Sequence, residues 1–281
     1  MRFGFIGDIV GRVGRNQIAR YVKEVRENYK LQLVIANGEN ASHGFGLTGK
    51  SIAELQGYGV DIFTGGNHTW DKKEITAFLA LENSNVLRPH NYPKGVVGSG
   101  VYKGDVDGEK FAVVNLMGHF GMPQCDNAFV CANATIEALQ EEGIKNIIVD
   151  FHAEATSEKR AMFMMLKGRI AAIFGTHTHI GTDDLEIFEG SFGVSDVGMS
   201  GARKSVIGME CEEPINRFLT GIPNRLSVPE KSGIPSIFQM IVCEVRKGKC
   251  VEAFKLKAID NGMLEKTLIA KESKCDKPLI S

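Results

Sequence analysis

Six short apolar runs, Arg2 to Ile6, Leu31 to Ala36, Val60 to Thr64, Phe111 to Leu116, Ile147 to Phe151 and Ile170 to Phe174, punctuate the first two-thirds of this 281-residue chain. Between them lie stretches whose apolar positions recur at helical spacing: Ile18 to Tyr29, Ser51 to Tyr58, Glu74 to Leu81, Ala134 to Glu142 and Glu158 to Leu166. Runs this short read as buried strands, and alternation with amphipathic helices predicts an α/β fold of sheet covered by helices. Beyond Leu185 the pattern becomes short alternating runs with Gly and Pro punctuation. Phe238 to Arg246 and Cys250 to Ala258 predict a hairpin over Lys247-Gly248-Lys249, so the α/β layer continues into a β-rich closing section. No repeat or low-complexity linker divides the chain. The expectation is one domain over residues 1–269 and a loosely held tail over 270–281.

The ends of the predicted strands are more specific than the strands themselves. The first run ends in Gly7-Asp8, the second in Gly38-Glu39-Asn40 and the third in Gly65-Gly66-Asn67-His68. The fifth ends in Asp150-Phe151-His152, and the sixth in Gly175-Thr176-His177-Thr178-His179. The carboxyl ends of strands in α/β sheets are where sites assemble, because loops converge there on a rigid frame. Singly, Asp8, Asn40 and Asn67 are ordinary turn residues. Their shared strand-end position makes them candidates.

Asp8, Glu39, Asn40, Asn67, His152, His177 and His179 offer only oxygen and nitrogen donors. Seven such groups exceed one open tetrahedral zinc site and suit two adjacent ions sharing a carboxylate. Without sulfur ligands, manganese, iron or zinc fits better than calcium or magnesium. Two divalent ions less two carboxylates and a bridging hydroxide leave a cationic centre, suited to a phosphate anion. With 33 Lys and Arg against 34 acids, the net charge of -1 provides no field for a nucleic-acid duplex. Any nucleotide must be held locally. The six cysteines are scattered, with no Cys-x-x-Cys, and fit a reducing compartment. No leader pattern opens the chain and no apolar stretch approaches the ~20 residues of a membrane span, so the expectation is a cytoplasmic protein.

In this order, Asp8, Gly38-Glu39-Asn40, Gly66-Asn67-His68, His152 and Gly175-Thr176-His177-Thr178-His179 resemble the calcineurin-like metallophosphoesterases. Gly7-Asp8-Ile9-Val10-Gly11, the run from Asp150 to Lys159 and Asp196-Val197-Gly198-Met199 are similar to the YmdB branch, over a stretch reaching about Ala258. The resemblance implies a calcineurin-like fold, with β-sheet layers flanked by helices around a β-sandwich core. It further implies a phosphodiesterase acting on 2',3'-cyclic nucleotides with a di-iron or di-manganese centre, in a protein that forms homo-oligomers. Carried over by position, Asp8, Glu39, Asn40 and His179 would hold the first metal. Glu39 would bridge, and Asn67, His152 and His177 would complete the second. His68 would protonate the departing ribose oxygen. The chain departs from the broader superfamily in having Val10 two positions after Asp8, where a histidine is usual, so Asn40 must supply a donor. It also has Thr69 in place of an acid after His68, leaving Asp71 as the acid that could orient the imidazole.

Two other readings stand beside this one. Gly44 to Ser51 matches the P-loop pattern of nucleotide triphosphatases, although a P-loop should follow its strand directly. A non-enzymatic regulatory protein could also retain the metal cluster. His43, His90 and His119 stand outside the pattern; His90 reads as a surface turn residue.

Overall fold

The computed structural model describes residues 1–231 and 233–273. In chain order the first elements are β1 Arg2–Asp8, α1 Gly11–Asn28, β2 Leu33–Asn37, α2 Gly49–Gly57, β3 Ile62–Thr64 and α3 Ile75–Leu79. Next come β4 Val101–Val106, β5 Glu109–Met117, α4 Ala128–Glu141, β6 Asn146–His152, α5 Thr156–Leu166 and β7 Ala172–Thr176. The rest are β8 Glu186–Phe188, β9 Ser191–Val194, β10 Gly201–Ala202, α6 Glu212–Thr220, β11 Ser236–Arg246, β12 Lys249–Ile259, β13 Glu265–Ile269 and β14 Lys271–Ser273.

The strands form two sheets, the layers of the β-sandwich core that the resemblance implied. The first runs β13-β12-β11-β1-β2-β3, with β10 paired to β11, and the second runs β14-β8-β9-β7-β6-β5-β4. In the first, β1, β2 and β3 are parallel, while β11 lies antiparallel beside β1, pairing Phe3 with Cys243 and Phe5 with Ile241. In the second, β5, β6, β7 and β9 are parallel.

Strand periodicity explains the layering. Along β5, Phe111 and Val113 join one apolar cluster, whereas Ala112, Val114 and Leu116 join another. The first cluster lies between the sheets and includes Phe3, Phe5, Ile35 and Ile241 from the opposite side. Phe5 stacks on Phe174 across this interface, with ring centroids 4.2 Å apart. The other faces carry helices: Ile18, Val22 and Val25 of α1 lie against the first sheet. Ile136 and Leu139 of α4, with Phe163 and Leu166 of α5, cover the second. The result is a sandwich of two sheets with helices on both outer faces.

The closing section divides between the sheets: β11 to β13 extend the first, while β8, β9 and β14 extend the second. The predicted hairpin forms with a tighter turn, because Arg246 pairs with Lys249 and only Lys247 and Gly248 lie between, both at positive φ. Unforeseen β4 is a polar edge strand joined to β5 by Asp107-Gly108, again with both residues at positive φ. The chain past 269 begins as structure rather than as loose tail: Ala270 is buried, and Lys271–Ser273 pair in parallel with β8. Residues 274–281, the remainder of that expected tail, lie outside the described residues, as does Cys275.

Candidate metal centre

The carboxyl ends of β1, β2 and β3 in one sheet meet those of β6 and β7 in the other at a single edge of the sandwich. Asp8 ends β1, Glu39 and Asn40 lie in the turn after β2, and Asn67 and His68 follow β3. His152 ends β6, and His177 and His179 follow β7. All seven residues expected as ligands come together here. His152 Nε2 lies 2.9 Å from Glu39 Oε1, 2.9 Å from Asn67 Oδ1 and 3.1 Å from His177 Nδ1. One donor atom each from Glu39, His152 and His177 falls within a span of 4.8 Å, close enough for one ion. Beside this group, Asn40 Nδ2 lies 3.3 Å from His179 Nε2 and 3.5 Å from Asp8 Oδ1, and His179 Nε2 lies 3.5 Å from that same oxygen. Glu39 Oε1 stands between the groups, 3.4 Å from Asn40 Nδ2. A half-turn of the Asn40 amide brings its oxygen inward instead.

Each imidazole is held from outside in the tautomer that a cation requires. Thr176 Oγ1 donates to Asp150 Oδ1 at 2.7 Å, so it accepts from His152 Nδ1 at 2.9 Å and turns Nε2 inward toward Glu39 and Asn67. His179 Nδ1 donates to the Ile207 carbonyl at 2.6 Å. His177 Nε2 donates to Glu154 at 3.0 Å, leaving Nδ1 inward. Three inward-facing ring nitrogens beside two buried carboxylates match the donor chemistry of a borderline divalent metal, which would displace the proton that the carboxylates hold on His179.

Backbone geometry makes room for this crowding. A Cβ on Gly66 would lie 2.2 Å from the His152 ring and 2.5 Å from Glu39 Oε2, so only glycine permits the approach. His177 and His179 both sit at positive φ, 96° and 66°, which non-glycine residues adopt at a cost. Tertiary bonds hold them: His177 N donates to Asp8 Oδ2 at 3.0 Å, and Met199 N donates to the His179 carbonyl at 3.0 Å. Between them, the N–H and hydroxyl of Thr178 bond Asp196, which also pairs with buried Lys159 at 2.8 Å. This gives physical roles to the Asp150–Lys159 and Asp196–Met199 stretches.

The electrostatics come from burial and proximity. Burial alone would raise the Asp8 carboxyl, but His179, His152 and the His177 N–H outweigh it and hold the group well below its usual range. Burial likewise opposes ionisation of Glu39, and His152 and His68 reverse the outcome. Burial and the neighbouring His152 push His177 down to about 3. Burial opposes protonation of His179 too, yet Asp8 and the Ile207 carbonyl carry it up to about 9. Burial pushes Asp150 up to about 6, opposed by His152, the hydroxyls of Thr64 and Thr176 and the Asn37 amide.

His68 lies on the cleft side of the cluster. Its backbone N–H donates to Glu39 Oε2 at 2.9 Å, its Nδ1 lies 2.9 Å from Asp71 Oδ2, and Phe45 meets its ring edge-on at 4.9 Å. The cleft, of about 510 Å³, is lined in part by Glu39, Asn40, His68, His177 and His179. Apolar Ile207, Pro214, Phe218 and Leu226 also line it, with the Ile207 carbonyl directly beside His179. A larger cleft of about 1000 Å³ beside Leu79, His90 and Leu139 lies away from these groups. His90 there is half-buried rather than a surface residue. His119 bonds the Cys125 carbonyl away from the cluster.

Sequence reasoning missed Asp150, Thr176 and Glu154 as supports. A signal existed for Asp150, which stands two positions before His152 on β6 and so shares its strand face. The P-loop look-alike is built otherwise than a phosphate cradle. Several residues separate it from β2, Gly49 N donates to the Glu74 carboxylate at 2.9 Å, and Ser51 Oγ bonds Ser42 Oγ at 2.8 Å. A carboxylate occupies the place a phosphate would need.

A family model described as YmdB-like protein matches residues 5–256. A 2',3'-cyclic-nucleotide 2'-phosphodiesterase from Bacillus subtilis (strain 168) is 44% identical over 231 residues, covering 82% of this chain and 87% of that protein. The crystal structure of a novel phosphatase from Mycoplasma pneumoniae aligns with a TM-score of 0.85 at 32% identity, covering 92% of this chain and 93% of the other. A 5'-nucleotidase precursor from Thermus thermophilus aligns at 0.53 and 14% identity, over 91% of this chain and 53% of that one; this likeness is of fold alone.

Proposed function

This chain belongs to the YmdB-like protein family, and from that membership we propose that it is a metal-dependent phosphodiesterase opening 2',3'-cyclic nucleotides. The observation that carries the reading is the convergence of Glu39, His152 and His177 donor atoms beside a histidine, His68, that an acid holds by its outer nitrogen. Asp8, Glu39, Asn40 and His179 would hold one ion, and Glu39, Asn67, His152 and His177 a second, with iron or manganese preferred and zinc compatible. Bound there, divalent ions supply positive charge for the phosphate and a water acidic enough to attack it.

The protein's own residues do the rest. Asp71 accepts from His68 Nδ1 and leaves Nε2 toward the cleft. As the ring-opening P–O bond breaks, His68 gives its Nε2 proton to the departing ribose oxygen, which would otherwise leave as an alkoxide. The apolar wall at Ile207, Pro214, Phe218 and Leu226 suits the faces of a base and provides few hydrogen-bonding groups, so base identity should matter little.

Metal analysis joined to a panel of 2',3'-cyclic, 3',5'-cyclic and monoester phosphates, assayed with added manganese or ferrous iron, tests this. Turnover of 2',3'-cyclic nucleotides is expected. Turnover of monoesters alone overturns the substrate, and absence of any metal-dependent turnover favours the regulatory-protein reading.

A further inference from the structure

A second cleft, of about 860 Å³, adjoins the first. Phe45, Arg217 and Leu226 line both, and Asp71 lines the second while its partner His68 lines the first. The second cleft therefore begins one side chain away from the proton donor. Lys72, Arg217 and Arg225 surround it. Among the described residues these three cations form no ion pair, whereas Arg2, Arg15, Arg26, Arg160 and Arg203 each meet an acid. Its acids are Asp71, committed to His68, and Glu230. Unpaired cations gathered around a concave surface repel one another until an anion neutralises them. In a chain of net charge -1 this is local provision, not a general basic surface.

We infer that this cleft is a phosphate subsite for the 5' side of the substrate. The preferred substrate then carries a phosphate on the 5' oxygen of the cyclic-phosphate nucleotide. The inference rests on the phosphodiesterase reading above. A ribonucleotide has three directions of exit from the sugar: the cyclic phosphate across O2' and O3', the base, and the 5' oxygen. With the first at the metal-ligand cluster and the second on the apolar wall, the 5' oxygen is directed past Phe45 and Arg217 into the second cleft. Guanidinium groups match the paired oxygens of a phosphate there, and Lys72 adds a point charge. Two sources share this chemistry: a mononucleotide bearing a terminal 5' phosphate, and the 3' end of an oligoribonucleotide, where the phosphate joins the preceding nucleotide.

The test compares kcat/KM for adenosine 2',3'-cyclic phosphate, the same compound with a 5' phosphate, and a dinucleotide ending in a 2',3'-cyclic phosphate. At least one phosphate-bearing substrate should be favoured about tenfold at low salt, with the preference fading as salt screens the cations. Preference for the dinucleotide alone identifies RNA ends as the source; preference for the 5'-phosphorylated mononucleotide alone identifies free nucleotides. The double variant Lys72→Ala, Arg225→Ala should return the preference ratio to near one. Both residues are partly or fully solvent-facing, so the fold should survive. Calorimetry on the metal-free protein adds an arm independent of catalysis: adenosine 5'-phosphate should bind more tightly than adenosine, and the double variant should lose the difference. Equal kcat/KM for all three substrates overturns the subsite and leaves the phosphodiesterase reading standing. Failure of every cyclic substrate overturns that reading, and the calorimetric comparison then decides the subsite by itself.

Discussion

Individual side chains in this site act through the groups that hold them. Asp71, three positions after His68, is bonded to its outer nitrogen, and the i,i+3 spacing in a turn makes the pair possible. Asp71→Asn should lower kcat about tenfold to hundredfold by releasing the ring, with metal content unchanged by elemental analysis. An unaltered kcat removes Asp71 from the mechanism. His179 makes a second prediction, on pH. Its value in the folded chain, about 9, lies above the ordinary 6.5, so its charged form contributes stability to metal-free protein below pH 6.5. That contribution is lost as pH rises through about 9. A metal needs the neutral ring and must displace that proton, so affinity moves the opposite way. Manganese affinity should rise with pH up to about 9, by about tenfold per unit for each proton displaced from His179 and from His152, whose value Glu39 and Asp8 raise against burial, with proton release measurable by calorimetry in buffers of different ionisation enthalpy. His177, already neutral at ordinary pH, should add nothing to this release.

At the scale of elements, the working parts are strand ends and the loops they begin. Alternating apolar runs located β1, β2, β3, β5, β6 and β7 in the sequence, because strands buried on both faces leave continuous hydrophobic stretches. They did not reveal β4, whose Lys103 and Asp105 face solvent at a sheet edge, nor α6, whose Phe218 and Leu219 are exposed. Edge and surface elements carry a weaker pattern because burial does not select their residues. The loop from His177 to His179 depends on a contact from afar: Asp196 bonds Thr178 and is neutralised by Lys159 of α5. Both partners are almost wholly buried, so Lys159→Ala should cost about 3 kcal/mol in chemical denaturation, because it strands the Asp196 charge. It should also weaken metal binding by loosening the loop. A variant as stable as the parent chain shows that the pair carries no such burden.

For the whole molecule, the decisive fact is that the candidate ligands come from two sheets. Asp8, Glu39, Asn40 and Asn67 lie at the ends of strands of one, while His152, His177 and His179 lie at the ends of strands of the other. Beneath them Asp150 of the second sheet bonds Thr64 and Asn37 of the first, joining the layers directly under the cluster. A metal bound there ties the sheets together only in the folded state. Manganese at a hundredfold excess over its Kd should therefore add about 2.7 kcal/mol, a rise in Tm of about 5–10 °C by scanning calorimetry. Asp8→Asn together with His152→Ala should abolish most of that rise, and a rise that persists in the double variant places the metal elsewhere. Which residues carry donor atoms, and that they stand at strand ends, was legible in the chain alone, since both depend on side-chain chemistry and local periodicity. Which strand joins which sheet, and that the ligand-bearing ends of both meet at one edge, came only from the folded arrangement. The folded arrangement also decides which ring nitrogens face inward and that Lys72, Arg217 and Arg225 gather beside Asp71, the partner of His68. These depend on contacts between residues far apart in the chain, which no local pattern of side chains encodes.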